Sequence, residues 1–172
     1  MEIEVKFRVN FEEIRRAIES LGATFVREEL QEDLYFSIPL PELLRVRRIR
    51  NLDRSFLTYK RINDPGRNEE FEEIEVEVSD FEKTRLILKR LGFGEELWVR
   101  KRRLVYRLGE VTFELNEVEG LGAFLDIEVI SGDADEAKGR IWDVAGKLGL
   151  GREDVEPRLY RELLREAGKR VK

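Results

Sequence analysis

Hydrophobic and polar residues alternate along most of this chain, which is the pattern of β-strands that bury one face. The first stretch covers residues 1–9, where Ile3, Val5 and Phe7 alternate with charged residues. Seven further stretches share this period of two. They are predicted at 24–37, 44–50, 56–62, 71–79, 98–108, 111–118 and 124–130. The chain is therefore expected to form about eight strands.

Three stretches with a helical period interrupt the strands. Each ends where glycine can adopt the left-handed conformation that closes a helix, at Leu21-Gly22, Leu91-Gly92 and Leu148-Gly149. Each is predicted to start at an N-cap residue with Glu three positions later, namely Asn10 with Glu13, Ser79 with Glu82 and Asp133 with Glu136. The tail, 157–172, also has a helical pattern and is expected to pack on the strands.

A short motif of an acidic residue, Ile, Glu and Val recurs at 2–5, 73–76 and 126–129, each time in a predicted strand before a helix. The recurrence indicates a chain built from two related halves. Turn residues at 63–66 predict a surface loop, and Gly120-Leu121-Gly122 predicts a bend between the last two strands. A phosphate loop is disfavoured there because no helix follows directly. Nothing resembles a linker, so one domain over 1–172 is expected.

The length of 172 residues and the 41% hydrophobic content suit one sizeable core. No stretch approaches the roughly 18 apolar residues of a membrane span, and the chain opens on acidic residues instead of a basic and apolar leader. A cytoplasmic protein is expected. Charged residues make up 40% of the chain beside one Met, which favours a thermophilic source. The net charge of −5 disfavours a general nucleic-acid binder.

Cysteine and histidine are both absent. Their absence excludes disulfides, thiol nucleophiles, zinc sites built on thiolate or imidazole, and triads with an imidazole base. Any chemistry must therefore use carboxylates, Lys, Arg, Tyr or a hard metal ion.

Nearly every predicted strand carries charges on one face. For a single strand, exposure of that face to water is the usual explanation. With eight such strands and three amphipathic helices, the helices can instead cover the apolar outside of a curved sheet, and closure then places the charges inside. We therefore predict an α+β fold, a closed eight-stranded antiparallel β-barrel with helices packed on its outside.

Both signs of charge are abundant on these faces. The basic residues are Lys6, Arg8, Arg45, Arg47, Lys60, Lys101 and Arg103. The acidic residues are Glu2, Glu4, Glu73, Glu75, Glu77, Glu114, Asp126 and Glu128. Basic groups alone would suit a plain anion carrier, whereas carboxylates beside them suit Mg²⁺ or Mn²⁺, which bridge to phosphates. The pattern predicts a site for a metal-bound polyphosphate.

The motifs follow a characteristic order. Glu2-Ile3-Glu4-Val5-Lys6 has the form E-x-E-x-K. After it come Leu44-Arg45-Val46-Arg47, Leu57-Thr58-Tyr59-Lys60, the acidic strand 73–78, Lys101-Arg102-Arg103 and the stretch 118–128. From residue 2 to about 164, this order resembles the CYTH superfamily, named for class IV adenylyl cyclases and thiamine triphosphatases.

The resemblance implies a tunnel that binds a small-molecule triphosphate with Mg²⁺ or Mn²⁺. It implies catalytic roles for Glu2, Glu4, Lys6 and Lys60. It implies substrate contacts for Lys6, Arg45, Arg47, Lys60, Glu75, Lys101 and Arg103, with Glu75 supporting the basic cluster. It implies that the metal ligands are among Glu2, Glu4, Glu114, Asn116, Asp126 and Glu128.

This sequence departs from the family at two positions. Asn116 stands where the family usually has Asp, and Asn is a weaker metal ligand, although Glu114 on the same face can compensate. Leu159 precedes Tyr160 where the cyclase branch often has Ser.

The resemblance implies one of two chemistries. The stretches 118–128 and 156–160 resemble the cyclase branch, which converts ATP to cyclic AMP and pyrophosphate. One alternative is a triphosphatase that hydrolyses tripolyphosphate, thiamine triphosphate or a nucleoside triphosphate. Another is a polyphosphate-binding module without catalysis, which would have little use for the acidic residues. The sequence leaves the oligomeric state open, a homodimer included.

Overall fold

In the computed structural model, which describes residues 1–171, eight antiparallel strands close into one barrel. The strands are β1 (Glu2–Arg8), β2 (Thr24–Phe36), β3 (Glu42–Ile49), β4 (Arg54–Ile62), β5 (Glu70–Val78), β6 (Glu95–Leu108), β7 (Val111–Val118) and β8 (Gly122–Ile130). Their order around the barrel is β1-β5-β4-β3-β2-β6-β7-β8. The predicted α+β fold with a closed eight-stranded barrel is confirmed.

Four α-helices accompany the strands: α1 (Phe11–Ser20), α2 (Phe81–Arg90), α3 (Ala134–Lys147) and α4 (Tyr160–Val171). Asn10 and Asp133 cap α1 and α3 as predicted, each accepting a backbone N–H three residues on. The prediction of Ser79 as a cap is wrong, because Asp80 accepts the N–H of Lys83. Among the described residues, no helix is both long and apolar enough to cross a membrane.

The main hydrophobic core lies outside the barrel wall, between the strands and the helices α1 and α3. Ile3, Val5 and Phe7 on β1 have no exposed surface and pack in one cluster with Ile18 of α1 and Ile141 of α3. Alternation along β1 therefore turns its charged residues toward the barrel axis. The helices decide which face of the sheet is the inside.

The C-terminal segment packs on one end of the barrel, but its helix starts later than predicted. Residues 155–159 are not helical: Val155 bridges to Phe7, and the Glu156 N–H donates to the Lys6 carbonyl at 2.8 Å. The helix α4 therefore begins at Tyr160 and not at 157. The last residue of the predicted tail, Lys172, lies outside the described residues.

Strands carrying the recurrent acidic motif are neighbours in space. The barrel order places β5, β1 and β8 side by side, although they come from the start, middle and end of the chain. Each is followed by a helix, as predicted: α1 after β1, α2 after β5 and α3 after β8. The inward carboxylates of these three strands therefore lie on neighbouring strands of the barrel.

The role of α3 in covering the barrel can be tested with two identical helix substitutions. Ile141→Ala should lower the free energy of unfolding by about 2–5 kcal/mol, because Ile141 is fully buried against the barrel. Ile87→Ala on α2 is the matched control, since Ile87 is 59% exposed and its loss should cost little. Denaturant unfolding measures both. Equal costs would contradict the packing described for α3.

Candidate active site

The interior faces of the strands enclose a cavity of about 440 Å³. Nearly all the predicted site residues line it: Glu2, Glu4, Lys6, Arg45, Arg47, Lys60, Glu75, Lys101, Arg103, Glu114, Asp126 and Glu128. Asn116 does not line it, although its side chain is buried beside it. The structure thus gathers residues from seven strands into one site.

One side of the cavity is acidic, on β5, β1, β8 and β7. Glu2, Glu4 and Glu128 each offer a carboxylate oxygen, and these oxygens lie within 4.8 Å of one another. Register explains part of this cluster, because Glu4 on β1 lies directly opposite Glu128 on β8. Burial and the neighbouring carboxylates raise the pKa of Glu128 to about 9. Burial, Glu4 and Glu128 also raise the pKa of Glu2, while Lys60 opposes the rise.

This acidic cluster fits a hard divalent cation. Carboxylates crowded together in a buried place are unfavourable unless a cation neutralises them, and Mg²⁺ and Mn²⁺ prefer oxygen ligands. Asp126 lines the same cavity, and its buried Oδ1 has no hydrogen-bond partner among the described residues. Glu114 lies directly opposite Asp126 on β7. Five of the six predicted metal ligands therefore line the cavity, and three of them lie close enough together to hold a cation.

The opposite side is basic, on β3, β4 and β6. Lys60 connects the two sides, because its Nζ lies 3.6 Å from an oxygen of Glu2 and 3.6 Å from an oxygen of Glu73. Burial opposes the charged form of Lys60, but Glu4, Glu2 and Glu73 outweigh it and raise the pKa of Lys60. The ammonium group is therefore held in the charged form that phosphate binding requires.

Asp33 was missed at the sequence level, and it organises the basic side. This fully buried carboxylate accepts two hydrogen bonds from Arg47, at 2.7 and 2.8 Å, and one from Lys101 at 2.7 Å. Although burial opposes it, Arg47 and Lys101 hold the pKa of Asp33 well below its usual range. Asp33 precedes the apolar Leu34 on β2, so the two side chains lie on opposite faces of the strand. The same alternation that marked the other strands could therefore have indicated an inward charge at Asp33.

The basic side retains free hydrogen-bonding capacity for an anion. Arg45 approaches Glu75 at 3.6 Å, and its buried Nε has no partner among the described residues. Burial and the nearby positive charges of Arg47 and Arg103 lower the pKa of Lys101 to about 7. The carboxylate of Asp33 opposes this fall. An anion placed among these side chains would relieve their mutual repulsion.

Three further predicted residues differ in their surroundings. Glu75 accepts a hydrogen bond from the Thr58 hydroxyl at 2.8 Å and lies 3.6 Å from Arg45. It therefore faces the basic side, as predicted. Glu77 pairs instead with Arg54 near the surface, and Arg8 pairs with Glu156. Neither Glu77 nor Arg8 lines the cavity.

The two ends of the cavity differ. At one end Leu159, Tyr160 and Arg161 from the C-terminal segment line it, and the Lys6 ammonium sits over the Tyr160 ring at 4.3 Å from its centre. At the other end the lining residues Leu52 and Arg54 are exposed. A ligand would therefore enter from the end that lies opposite the C-terminal helix.

Removal of the Asp33 carboxylate tests how far the basic side depends on it. Asp33→Ala should lower the free energy of unfolding by about 3–5 kcal/mol, because it leaves two buried cations without their partner. Glu77→Ala is the control, since it breaks an ion pair in which both side chains are about half exposed and should cost far less. Denaturant unfolding gives both values. Equal losses would mean that Asp33 is no more important than a surface ion pair.

Known proteins resemble this chain in sequence and in fold. The family model of the CYTH domain matches residues 1–160. A Methanocaldococcus jannaschii protein, provisionally named an adenylate cyclase, is 32% identical over 171 residues that cover 94% of this chain and 98% of that protein. The structure of a Pyrococcus horikoshii protein matches with a TM-score of 0.93 and 60% identity, covering 95% of this chain and 99% of the other.

A more distant structure shares the fold. This Hippeastrum protein, named for adenylyl cyclase and described with a dominant triphosphatase activity, matches with a TM-score of 0.69 and 21% identity over 96% of both chains. At that identity the match concerns the fold alone. The match to the family model and the identity to the archaeal relative cover nearly the whole chain. The chain therefore belongs to the CYTH family, whose members are adenylyl cyclase-like or triphosphatase enzymes that act on triphosphates.

Proposed function

We propose that this protein is a divalent-metal-dependent enzyme that converts ATP to cyclic AMP and pyrophosphate. The observation that carries the proposal is the opposition of two charged surfaces across one cavity. An acidic cluster of Glu2, Glu4 and Glu128 faces a basic set from β3, β4 and β6. A triphosphate with its metal ion carries both signs of charge and complements both surfaces.

The basic residues bind and orient the phosphates. Arg45, Arg47 and Arg103 suit bidentate contact with phosphate oxygens, and Lys6, Lys60 and Lys101 act as point charges. Glu2, Glu4, Asp126 and Glu128 hold the divalent cation, with Glu114 next to Asp126. The bound cation supplies charge neutralisation and lowers the pKa of the attacking hydroxyl. In this scheme catalysis is mostly positioning and electrostatic stabilisation, which needs no histidine.

Cyclisation and hydrolysis would both use these phosphate-binding residues. In cyclisation the ribose hydroxyl attacks the phosphate nearest the sugar and pyrophosphate leaves, whereas in hydrolysis water attacks and orthophosphate is released. The name of the archaeal relative and the resemblance of the stretches 118–128 and 156–160 to the cyclase branch support cyclisation. Hydrolysis of tripolyphosphate, thiamine triphosphate or a nucleoside triphosphate is the alternative.

Product analysis tests the proposal. The protein is incubated separately with ATP and with tripolyphosphate, in Mg²⁺ or Mn²⁺ and over a range of temperatures, and the products are separated by chromatography. Cyclic AMP with pyrophosphate is expected. Formation of ADP or orthophosphate instead would identify a triphosphatase, and no consumption of either compound would favour a binding module without catalysis.

A Glu4→Gln variant links any product to this cavity. The amide removes one negative charge from the acidic cluster, so metal-dependent turnover should fall by about 100-fold or more. The melting temperature should fall, because Lys60, Lys6 and Arg103 lower the pKa of Glu4 against the effect of burial and so stabilise a charge that the amide does not carry. Unchanged turnover at saturating Mg²⁺ would place the reaction elsewhere.

Lys101 should make tripolyphosphate binding depend on pH. Its pKa is about 7 in the free protein, and a bound phosphate favours the charged form, so the complex holds more protons than the free protein. Affinity should therefore fall as pH rises above about 7, by at most about ten-fold per pH unit. Calorimetric titration with tripolyphosphate at several pH values measures this fall.

Lys101→Met is the control for this pH dependence. Methionine nearly keeps the length of the side chain and carries no charge. The variant should bind more weakly at pH 7, and the affinity of the wild type should approach that of the variant as pH rises. Parallel curves for the two proteins would show that Lys101 does not titrate in this range. Protonation of the ligand itself affects both curves equally.

A further inference from the structure

Asn116 lies between the two charged sides of the cavity without lining it. Its side chain is fully buried on β7 and makes hydrogen bonds to residues of both signs. The Arg103 Nε donates to the Asn116 Oδ1 at 2.8 Å, and the Asn116 Nδ2 donates to the Asp126 Oδ2 at 2.9 Å. The same nitrogen lies 3.2 Å from the Tyr160 hydroxyl oxygen.

The chemistry of the neighbours fixes the orientation of this amide. A guanidinium group has donors and no acceptor, so the atom that faces Arg103 must be the amide oxygen. The nitrogen then faces Asp126, whose carboxylate accepts. A flipped amide would place two donors together at Arg103 and two acceptors together at Asp126. Both neighbours therefore favour the same orientation.

Each hydrogen bond fixes one functional group. Arg103 is held from two points of β7, by Asn116 and by the Glu114 Oε2 at 2.7 Å. Asp126 has its Oδ2 engaged by the amide, while its Oδ1 has no hydrogen-bond partner among the described residues. Asp126 therefore lines the cavity with one buried oxygen whose hydrogen-bonding capacity is unused among the described residues.

We propose that Asn116 is a positioning residue that aims Asp126 at the cation and Arg103 at the phosphates, and that it does not bind the cation itself. An amide suits this place because it offers an acceptor to Arg103 and a donor to Asp126 at once. A carboxylate could accept from Arg103, but it would face the Asp126 carboxylate with like charge. The role of the two aimed groups rests on the proposed function.

Two binding measurements without turnover test the inference on the full chain. The first is the thermal shift that tripolyphosphate causes in the presence of EDTA, which reports the basic side alone. The second is Mn²⁺ binding without triphosphate, followed by the electron paramagnetic resonance signal of free Mn²⁺. Asn116→Ala should weaken both kinds of binding by roughly 10-fold or more, as residues that orient metal ligands commonly do.

A direct metal ligand would give a different result. Loss of Mn²⁺ binding with an unchanged tripolyphosphate shift in EDTA would overturn the inference, because a ligand has no role in metal-free phosphate binding. Unchanged values in both measurements would also overturn it. A wild type that binds neither probe would overturn the proposed function and this inference with it.

Two further variants separate positioning from packing. Asn116→Leu keeps the branched shape and the number of heavy atoms of the side chain but removes both hydrogen bonds. It should therefore reproduce the losses of Asn116→Ala without leaving a cavity. Leu115→Val on the same strand removes buried volume on the outer face and should lower the melting temperature while leaving both binding constants within about two-fold. Weakened binding in Leu115→Val equal to that in the Asn116 variants would overturn the inference.

Discussion

Charges enclosed by the barrel must be neutralised within it, and this constraint shapes the rest of the structure. Helices α1 and α3 bury the apolar faces of β1, β6, β7 and β8 outside the wall, so the charged faces of these strands have only the interior left. Charges removed from water are unfavourable unless each finds a partner of opposite sign or a ligand. Most charged side chains of the interior therefore form ion pairs, and a few of their polar atoms have no hydrogen-bond partner among the described residues.

Two groups of charges inside the barrel are not fully neutralised by partners of opposite sign, and both point to a ligand. On the acidic side, Glu2, Glu4 and Glu128 crowd together with Lys60 as their main cationic neighbour. On the basic side, Lys101 remains crowded by cations in spite of Asp33. The excess of each sign lies on opposite sides of one cavity. A metal ion and a polyphosphate would complete the neutralisation, which is why the fold and the proposed chemistry depend on each other.

Residues outside the direct lining hold these excess charges in place. Asp33 on β2 fixes Arg47 and Lys101 through three short hydrogen bonds, and Asn116 on β7 connects Arg103 with Asp126. From the C-terminal segment, Tyr160 lines the cavity itself and places its ring beneath the Lys6 ammonium. Long side chains lose entropy when they are held in one geometry, so this support reduces the cost that a ligand would otherwise meet on binding.

The sequence by itself determined the strands, the inward faces and the family, because alternation and motif order are local properties of the chain. It also excluded thiol and imidazole chemistry, since composition alone decides that. Only the tertiary structure decided that β5, β1 and β8 adjoin, that Asp33 meets Lys101 from 68 positions away, and that Asn116 lies behind the lining. The helix start at Tyr160 and the cap at Asp80 were also decided there. These features depend on strand register and barrel closure, which set distances between residues remote in sequence and which no local pattern encodes.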